Sequence, residues 1–194
     1  KALIGKNIGL VPQNTVFYLH PMFKIKNQIA DGYMLYNKKK KSEGIERAKE
    51  KLRIVGFKDP DRILESYPWQ LSGGMRQRVN IALALMNDPQ IIIADEPTTA
   101  IDAITQAEIL KEFQRIKEES HTAMIFISHD LGAVSKIADE IVVMNGGKLV
   151  EQGDFEHILR HAKDPYTRML AETRRSVMER YRLCLDNQEE LCLN

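Results

Sequence analysis

No run of this chain stays apolar for the roughly 18–20 residues that a membrane-crossing helix needs, and nothing in it resembles a secretory signal peptide. Any membrane association is therefore expected to come through a partner. Cysteine is almost missing. Cys184 and Cys192 cannot build a disulfide framework, and two free thiols fit a reducing cytoplasm. Excess charge of one sign is missing too: 28 Lys and Arg against 27 Asp and Glu leave a net charge of +1, which removes the bulk electrostatic argument for nucleic acid. There is no internal repeat and no low-complexity linker. Also lacking is the pattern Gly-x-x-x-x-Gly-Lys-Ser/Thr, whose backbone amides wrap phosphates while the Lys meets the β and γ oxygens. Gly5-Lys6 is followed by Asn7 and has no room upstream for the leading Gly; Gly147-Lys148 is followed by Leu149.

What remains is ample for a packed core. At 194 residues, 43% hydrophobic and 28% charged, the chain predicts one domain with a subdomain. Ile4–Gln13 reads as a core strand with its loop. Residues 21–70 are more polar and helical in pattern: Met22–Tyr36, Ser42–Val55, then a turn through Asp59-Pro60-Asp61 into Ile63–Glu65. From residue 76 onward helices and strands alternate. The helices run to Met86, Ile104–Glu118 and Leu131–Ala138; the strands are Ile91–Ala94, Met124–Ile127 and Ile141–Met144. That alternation argues an α/β fold with a parallel sheet and crossover helices. Ile104, Ala107, Leu110, Phe113 and Ile116 are expected to form one apolar helix face. Asn145-Gly146-Gly147 reads as a hairpin turn into Lys148–Glu151.

Two strings carry the chemistry. In LSGGMRQRV, Ser72, Gly73 and Gly74 make a side-chain-poor turn before the helical stretch Met75–Met86. Ser is a favoured N-cap, and a helix start with unpaired N–H groups and a positive dipole end suits an anionic phosphate. In IIIADEP, the apolar strand Ile91–Ala94 ends in Asp95 and Glu96. A buried parallel strand that delivers acids at its carboxyl end is where α/β proteins put ligand chemistry. Together the strings point to nucleotide hydrolysis.

These residues resemble the ATP-binding-cassette (ABC) ATPases. LSGGM is similar to their signature loop and IIIADE to their Walker B strand with its catalytic glutamate. Gln13 matches the Q-loop, Thr99-Ala100-Ile101-Asp102 the D-loop, and His129 the switch histidine, all in the family's order. The resemblance covers nearly the whole chain and thins after about residue 175. It implies a partial P-loop NTPase (RecA-like) fold over residues 1–175, N-terminally truncated so that the first strands and the P-loop are missing. A helical subdomain is inserted at about residues 21–75, and residues 176–194 form a C-terminal tail. Independent ATP binding is then in doubt.

The site residues follow from the same resemblance. As a lone acid Asp95 would cap the next turn; in this company it is expected to hold Mg²⁺ through water, with Gln13 as a second oxygen donor that senses the helical subdomain. Glu96 is expected to polarise the attacking water as general base. His129 is expected to bridge the γ-phosphate and the Glu96 region. Ser72, Gly73 and Gly74 would reach the γ-phosphate of an ATP held by a second subunit, with Asp102 at that interface. The remaining histidines (His20, His121, His157, His161) are assigned no role, and Lys38–Lys41 reads as a solvated loop in preference to a contact for anionic lipid.

Tyr67-Pro68-Trp69-Gln70 before the signature, Met75 within it, and Asp164-Pro165-Tyr166-Thr167-Arg168 are similar to the importer branch that carries oligopeptides, dipeptides and nickel. Trp69 and Asp164 each stand where His is more usual. The resemblance implies ATP and Mg²⁺ as cofactors, a second ATPase subunit and transmembrane permease subunits as partners, an extracellular solute-binding protein at one remove, no nucleic acid, and a location on the cytoplasmic face of the membrane. Two other readings stand beside it: a catalytically inert fragment or regulatory module, and a nucleic-acid-linked ABC ATPase. The second usually brings a coiled coil or a second cassette, and neither is present.

Overall fold

The computed structural model describes residues 3–13, 18–99, 101–120 and 122–176. Cys184, Cys192, His121 and Ala100 lie outside the described residues. The chain divides into two compact units, 1–129 and 130–194.

The first unit is built on a three-stranded parallel sheet in the order β1 (Ile8–Val11), β2 (Ile91–Asp95), β3 (Ala123–Ile127). Register sets Val11 beside Ala94, Ala94 beside Phe126, and Asp95 beside Ile127, so the three carboxyl ends finish level along one sheet edge. Val11, Ile92 and Ala94 are fully buried beneath one face. On the other face Ile125 and Ile127 remain about half exposed.

Between β1 and the next long helix lie four short helices: α1 (Ile25–Ile29), α2 (Asp31–Asn37), α3 (Lys41–Ile54) and α4 (Pro60–Glu65). The helix expected over Met22–Tyr36 begins only at Ile25, because Lys24 is extended and the Ile25 N–H is given to the Ser66 carbonyl at 2.9 Å. It ends at Lys38, which is left-handed at φ 53°. The Asp59 carboxylate caps α4 by accepting the Arg62 N–H at 3.1 Å, and Pro60 occupies its first turn, where no intrahelical N–H is needed.

Helix α5 (Gly73–Leu85) packs on α3 and against β1. A Cβ on Gly9 of β1 would lie 2.6 Å from the Ala84 carbonyl oxygen, so the strand approaches the helix as only glycine allows. After α5, Asp88 takes a left-handed backbone (φ 45°) and its carboxylate ties back to α3. It accepts from the Lys51 Nζ at 2.7 Å and from Arg47.

Helix α6 (Ala103–Ser120) buries Ile109, Leu110, Phe113 and Ile116, and Phe113 meets Phe126 edge-on with ring centroids 5.5 Å apart. The face expected from residue 104 is therefore corrected. A step of three drifts about 60° per repeat on a helix of 3.6 residues per turn. Ile104 thus falls off the stripe and is 77% exposed.

In the second unit, α7 (Leu131–Ile137) buries Leu131, Ala133, Val134 and Ile137. The strand expected at 141–144 is β4 (Ile141–Asn145), but the expectation that it joins the parallel sheet is corrected: its hydrogen-bonding partner is the next strand of its own hairpin. It pairs antiparallel with β5 (Lys148–Gly153) through Gly146 and Gly147, both at positive φ as a tight hairpin turn requires. A π-helical turn (His157–His161) and a helix over 165–176 complete the unit. Glu151 holds its last turns together: it accepts the N–H groups of Lys163 and Asp164 at 2.9 and 2.8 Å and meets His157 Nε2 at 3.0 Å. These bonds hold its carboxyl below the usual range, the Asp164 N–H contributing most.

Candidate functional site

The carboxyl edge of the sheet collects one cluster. Beyond β2, Glu96 adopts a left-handed backbone (φ 46°), a conformation that a non-glycine residue holds at some cost and that recurs at functional sites. Its N–H is given to the Ile127 carbonyl at 2.9 Å, which fixes the turn against the end of β3. The side chain is four-fifths buried. One carboxylate oxygen meets the His129 Nδ1 at 2.7 Å and accepts the His129 N–H at 3.2 Å; the other accepts the Thr99 hydroxyl at 2.7 Å. Burial pushes the Glu96 carboxyl up, but the bonds from His129 and Thr99 outweigh it, and the net shift is downward. Glu96 is therefore a carboxylate at neutral pH with both oxygens engaged. The His129 side chain is 75% exposed, so its ring faces outward from this anchor.

Asp95 ends β2 one residue earlier, and Gln13 lies exposed two residues past the end of β1. By register Gln13 falls level with Glu96 on the neighbouring strand. Asp95 and Gln13 offer only hard oxygen donors at a partly solvated edge, a donor set suited to Mg²⁺, which keeps several of its waters. Among the described residues no group of three His, Cys, Asp or Glu side chains is placed to hold a metal by itself.

The second cluster forms at the start of α5. Ser72 is the N-cap: its hydroxyl accepts the Met75 N–H at 3.2 Å. Gly73 and Gly74 are the first two helical residues, and they differ. A Cβ on Gly73 would meet nothing within 4 Å, whereas one on Gly74 would lie 2.2 Å from the Thr105 methyl of α6. Thr105 is in turn held by Asp102, whose carboxylate accepts its N–H at 3.0 Å. That bond, with the Thr105 hydroxyl next, holds the Asp102 carboxyl below the usual range. The start of α5 and the Asp102 turn are thus packed together through Thr105.

The eight residues singled out from the sequence sort into these two clusters: Gln13, Asp95, Glu96 and His129 at the sheet edge, and Ser72, Gly73, Gly74 and Asp102 at the glycine turn. The sequence placed Thr99 in the D-loop stretch without a role for its side chain, and Thr105 was not singled out. A Thr three residues after an acid, or three after an Asp that caps a helix, is the pattern that would have found each of them.

Residues 1–99 match the family model described as ABC transporter. The chain is 43% identical over 178 residues to the metal-staphylopine import system ATP-binding protein CntD of Staphylococcus aureus, covering 92% of this chain and 66% of that protein. It is 42% identical over 166 residues to the oligopeptide transport ATP-binding protein OppD of Lactococcus lactis, covering 86% of this chain and 49% of that protein. The chain therefore spans between about half and two thirds of these relatives. Among solved structures, the dimeric post-hydrolysis state of the ATP-binding cassette MJ0796 bound to ADP and Pi aligns with a TM-score of 0.68 at 28% identity, over 78% of this chain and 64% of that one.

Proposed function

Because the chain belongs to the ABC transporter family, we propose that it is part of an ATP-hydrolysing subunit of an importer. In this proposal it powers uptake of a peptide or a chelated metal through membrane permease subunits. The observation that carries the proposal is the Glu96–His129–Thr99 constellation: a strained, mostly buried carboxylate at the carboxyl end of a parallel strand, hydrogen-bonded to an exposed histidine. The importer branch rests on the import systems to which the relatives belong and on the Tyr67–Gln70 lead-in.

In this mechanism Glu96 accepts a proton from the attacking water, and the hydrogen bonds from His129 and Thr99 fix the direction in which its free lone pairs point. A carboxyl held low is a weak base, so its contribution is chiefly to orient the water, and phosphoryl transfer depends on positioning and electrostatics more than on proton affinity. His129, anchored through Nδ1, presents the rest of its ring toward the γ-phosphate. Asp95 and Gln13 are the residues that would hold Mg²⁺, which when bound offsets phosphate charge. Ser72, Gly73 and Gly74 present N–H groups to the γ-phosphate of a nucleotide bound by a second subunit. The polar helices over about 21–75 form the subdomain that meets the permease, residues 176–194 are a tail, and the whole works at the cytoplasmic face of the membrane.

The test places this chain behind a P-loop-bearing segment from an ABC cassette and measures ATP hydrolysis. The proposal expects turnover that is lost in Glu96→Gln while nucleotide binding persists. Binding without turnover in the unsubstituted protein would instead support a regulatory module.

A further inference from the structure

Four consecutive lysines, Lys38–Lys41, join α2 to α3, and all four are exposed. By sequence alone the run reads as a solvated loop; the structure adds two observations. The first concerns backbone and charge. Lys38 closes α2 in the left-handed conformation (φ 53°), a place that glycine takes without strain, and Lys40 is extended. Lys39 is paired with Glu43 at 2.8 Å, and Lys41 donates to the Asn27 side chain at 3.2 Å. Lys38 and Lys40 meet no acidic side chain among the described residues. Against the four lysines, the neighbouring acids are Glu43, already paired, and Asp31 at the far end of α2. The second observation is an apolar edge. Helix α2 meets α3 through Met34, where a Cβ on Gly44 would lie 3.2 Å from Met34 Cγ. It is tied to the start of the chain through Tyr36, whose hydroxyl donates to the Ile4 carbonyl at 3.3 Å. Leu35, between those two residues and one turn before Lys38, is left 75% exposed, and Leu3 and Ile4 are both 61% exposed.

We infer that the α2–α3 turn is a contact for an anionic lipid bilayer, with Lys38–Lys41 at the headgroup phosphates and Leu35 entering the interface. Lysine suits this place because its apolar stem can lie along the acyl boundary while the ammonium stays with the phosphates. Each lysine held near an anionic surface raises binding by a factor of about 5. A few of them give reversible surface contact, well short of a permanent anchor. The chain as a whole carries only +1, so attraction to an anionic surface has to come from a local patch of this kind. The apolar edge is what selects a bilayer over nucleic acid. A polyanion in water offers an exposed leucine nothing to enter, and the lysine run carries no aromatic ring on which a base could stack. The inference depends neither on ATP binding nor on hydrolysis at Glu96.

The experiment is co-sedimentation of the chain with vesicles of phosphatidylcholine alone and of an equal mixture of phosphatidylcholine and phosphatidylglycerol. It is run at about 0.1 M and about 1 M salt, between which the screening length falls from about 10 to about 3 Å. The unsubstituted chain is compared with Lys38→Gln/Lys40→Gln, with Leu35→Gln, and with Lys58→Gln/Lys111→Gln, which removes the same charge from exposed lysines elsewhere. All the substituted residues are exposed, so the variants are expected to fold, as a thermal melt checks. The chain is expected to bind the mixed vesicles alone and to release them at high salt. Lys38→Gln/Lys40→Gln is expected to weaken binding about 25-fold and Leu35→Gln about 10-fold, with Lys58→Gln/Lys111→Gln unchanged. No binding to the mixed vesicles, or equal binding to phosphatidylcholine alone, would overturn the inference. So would an equal loss in Lys58→Gln/Lys111→Gln, which would reduce the effect to bulk charge. A single-stranded RNA oligonucleotide is titrated in parallel. If it binds, and Lys38→Gln/Lys40→Gln abolishes that binding while Leu35→Gln leaves both ligands unaffected, the patch is a nucleic-acid contact and the bilayer assignment falls.

Discussion

The two candidate clusters are built in opposite ways. At the sheet edge the cluster is made of side chains: a carboxylate, an imidazole and a hydroxyl, locked by three hydrogen bonds around a residue in left-handed conformation. At the start of α5 the candidate part is backbone, two glycines that open the helix after a serine cap. The first is specified by charge and hydrogen bonding and tolerates only isosteric change. The second is specified by space, and its two glycines have unequal freedom: Gly73 is open and Gly74 is closed by Thr105. Glycine at 74 is therefore required by packing, whereas packing sets no such requirement at 73.

The sharpest way to break this contrast is to remove the charge at one cluster and the space at the other. Glu96→Gln keeps the shape of the side chain and is expected to lower ATP turnover about 10²- to 10⁴-fold in an active cassette, read by phosphate release. Gly74→Ala forces a methyl into Thr105 and is expected to destabilise the chain by about 1–3 kcal/mol in urea unfolding. Gly73→Ala is expected to leave stability nearly unchanged while weakening phosphate binding. Equal destabilisation at both positions would erase the distinction. Ser72→Ala removes only the cap and is expected to cost about 1 kcal/mol.

The smallest effect is in acid. A carboxyl held low in the folded chain contributes stability that is complete above its unfolded pKa, about 4.3 for a glutamate, and is lost as pH falls through the lower folded value. Glu96 and Asp102 both contribute in this sense. Glu112 runs the other way: burial raises its carboxyl, so its contribution is lost as pH rises through that raised value. Glu112→Gln is expected to make the chain more stable at pH 7 without altering the acid limb, and Glu96→Gln to flatten that limb. Urea unfolding across pH 2–8 reads both.

Much of the local structure that carries the candidate residues was legible in the sequence, for physical reasons. An apolar strand that ends in two acids can sit in few places other than the middle of a parallel sheet, and Ser-Gly-Gly before a helical stretch announces its own cap. The alternation of elements past residue 76 found β2 and β3 of the parallel sheet but wrongly added the strand at 141–144, which pairs antiparallel in a separate hairpin. What was not legible depends on tertiary register. His129 and Glu96 are 33 residues apart, and their hydrogen bond exists because Asp95 pairs with Ile127. Thr105 matters only because α6 starts against α5. The exposed position of Ile104 followed from helical drift, which a count in threes conceals. The 3₁₀ turn Pro68–Gln70 depends on Arg76 reaching back to two carbonyls, a contact no local pattern announces.

The most direct test of the account is phosphate release by this chain joined to a P-loop-bearing segment, measured side by side with its Glu96→Gln variant and with binding of MgATP followed in both. The account predicts turnover in the first, a loss of at least about 100-fold in the second, and equal nucleotide affinity in the two. Unchanged turnover in Glu96→Gln would contradict it, because the carboxylate at the end of β2 would then play no part in hydrolysis.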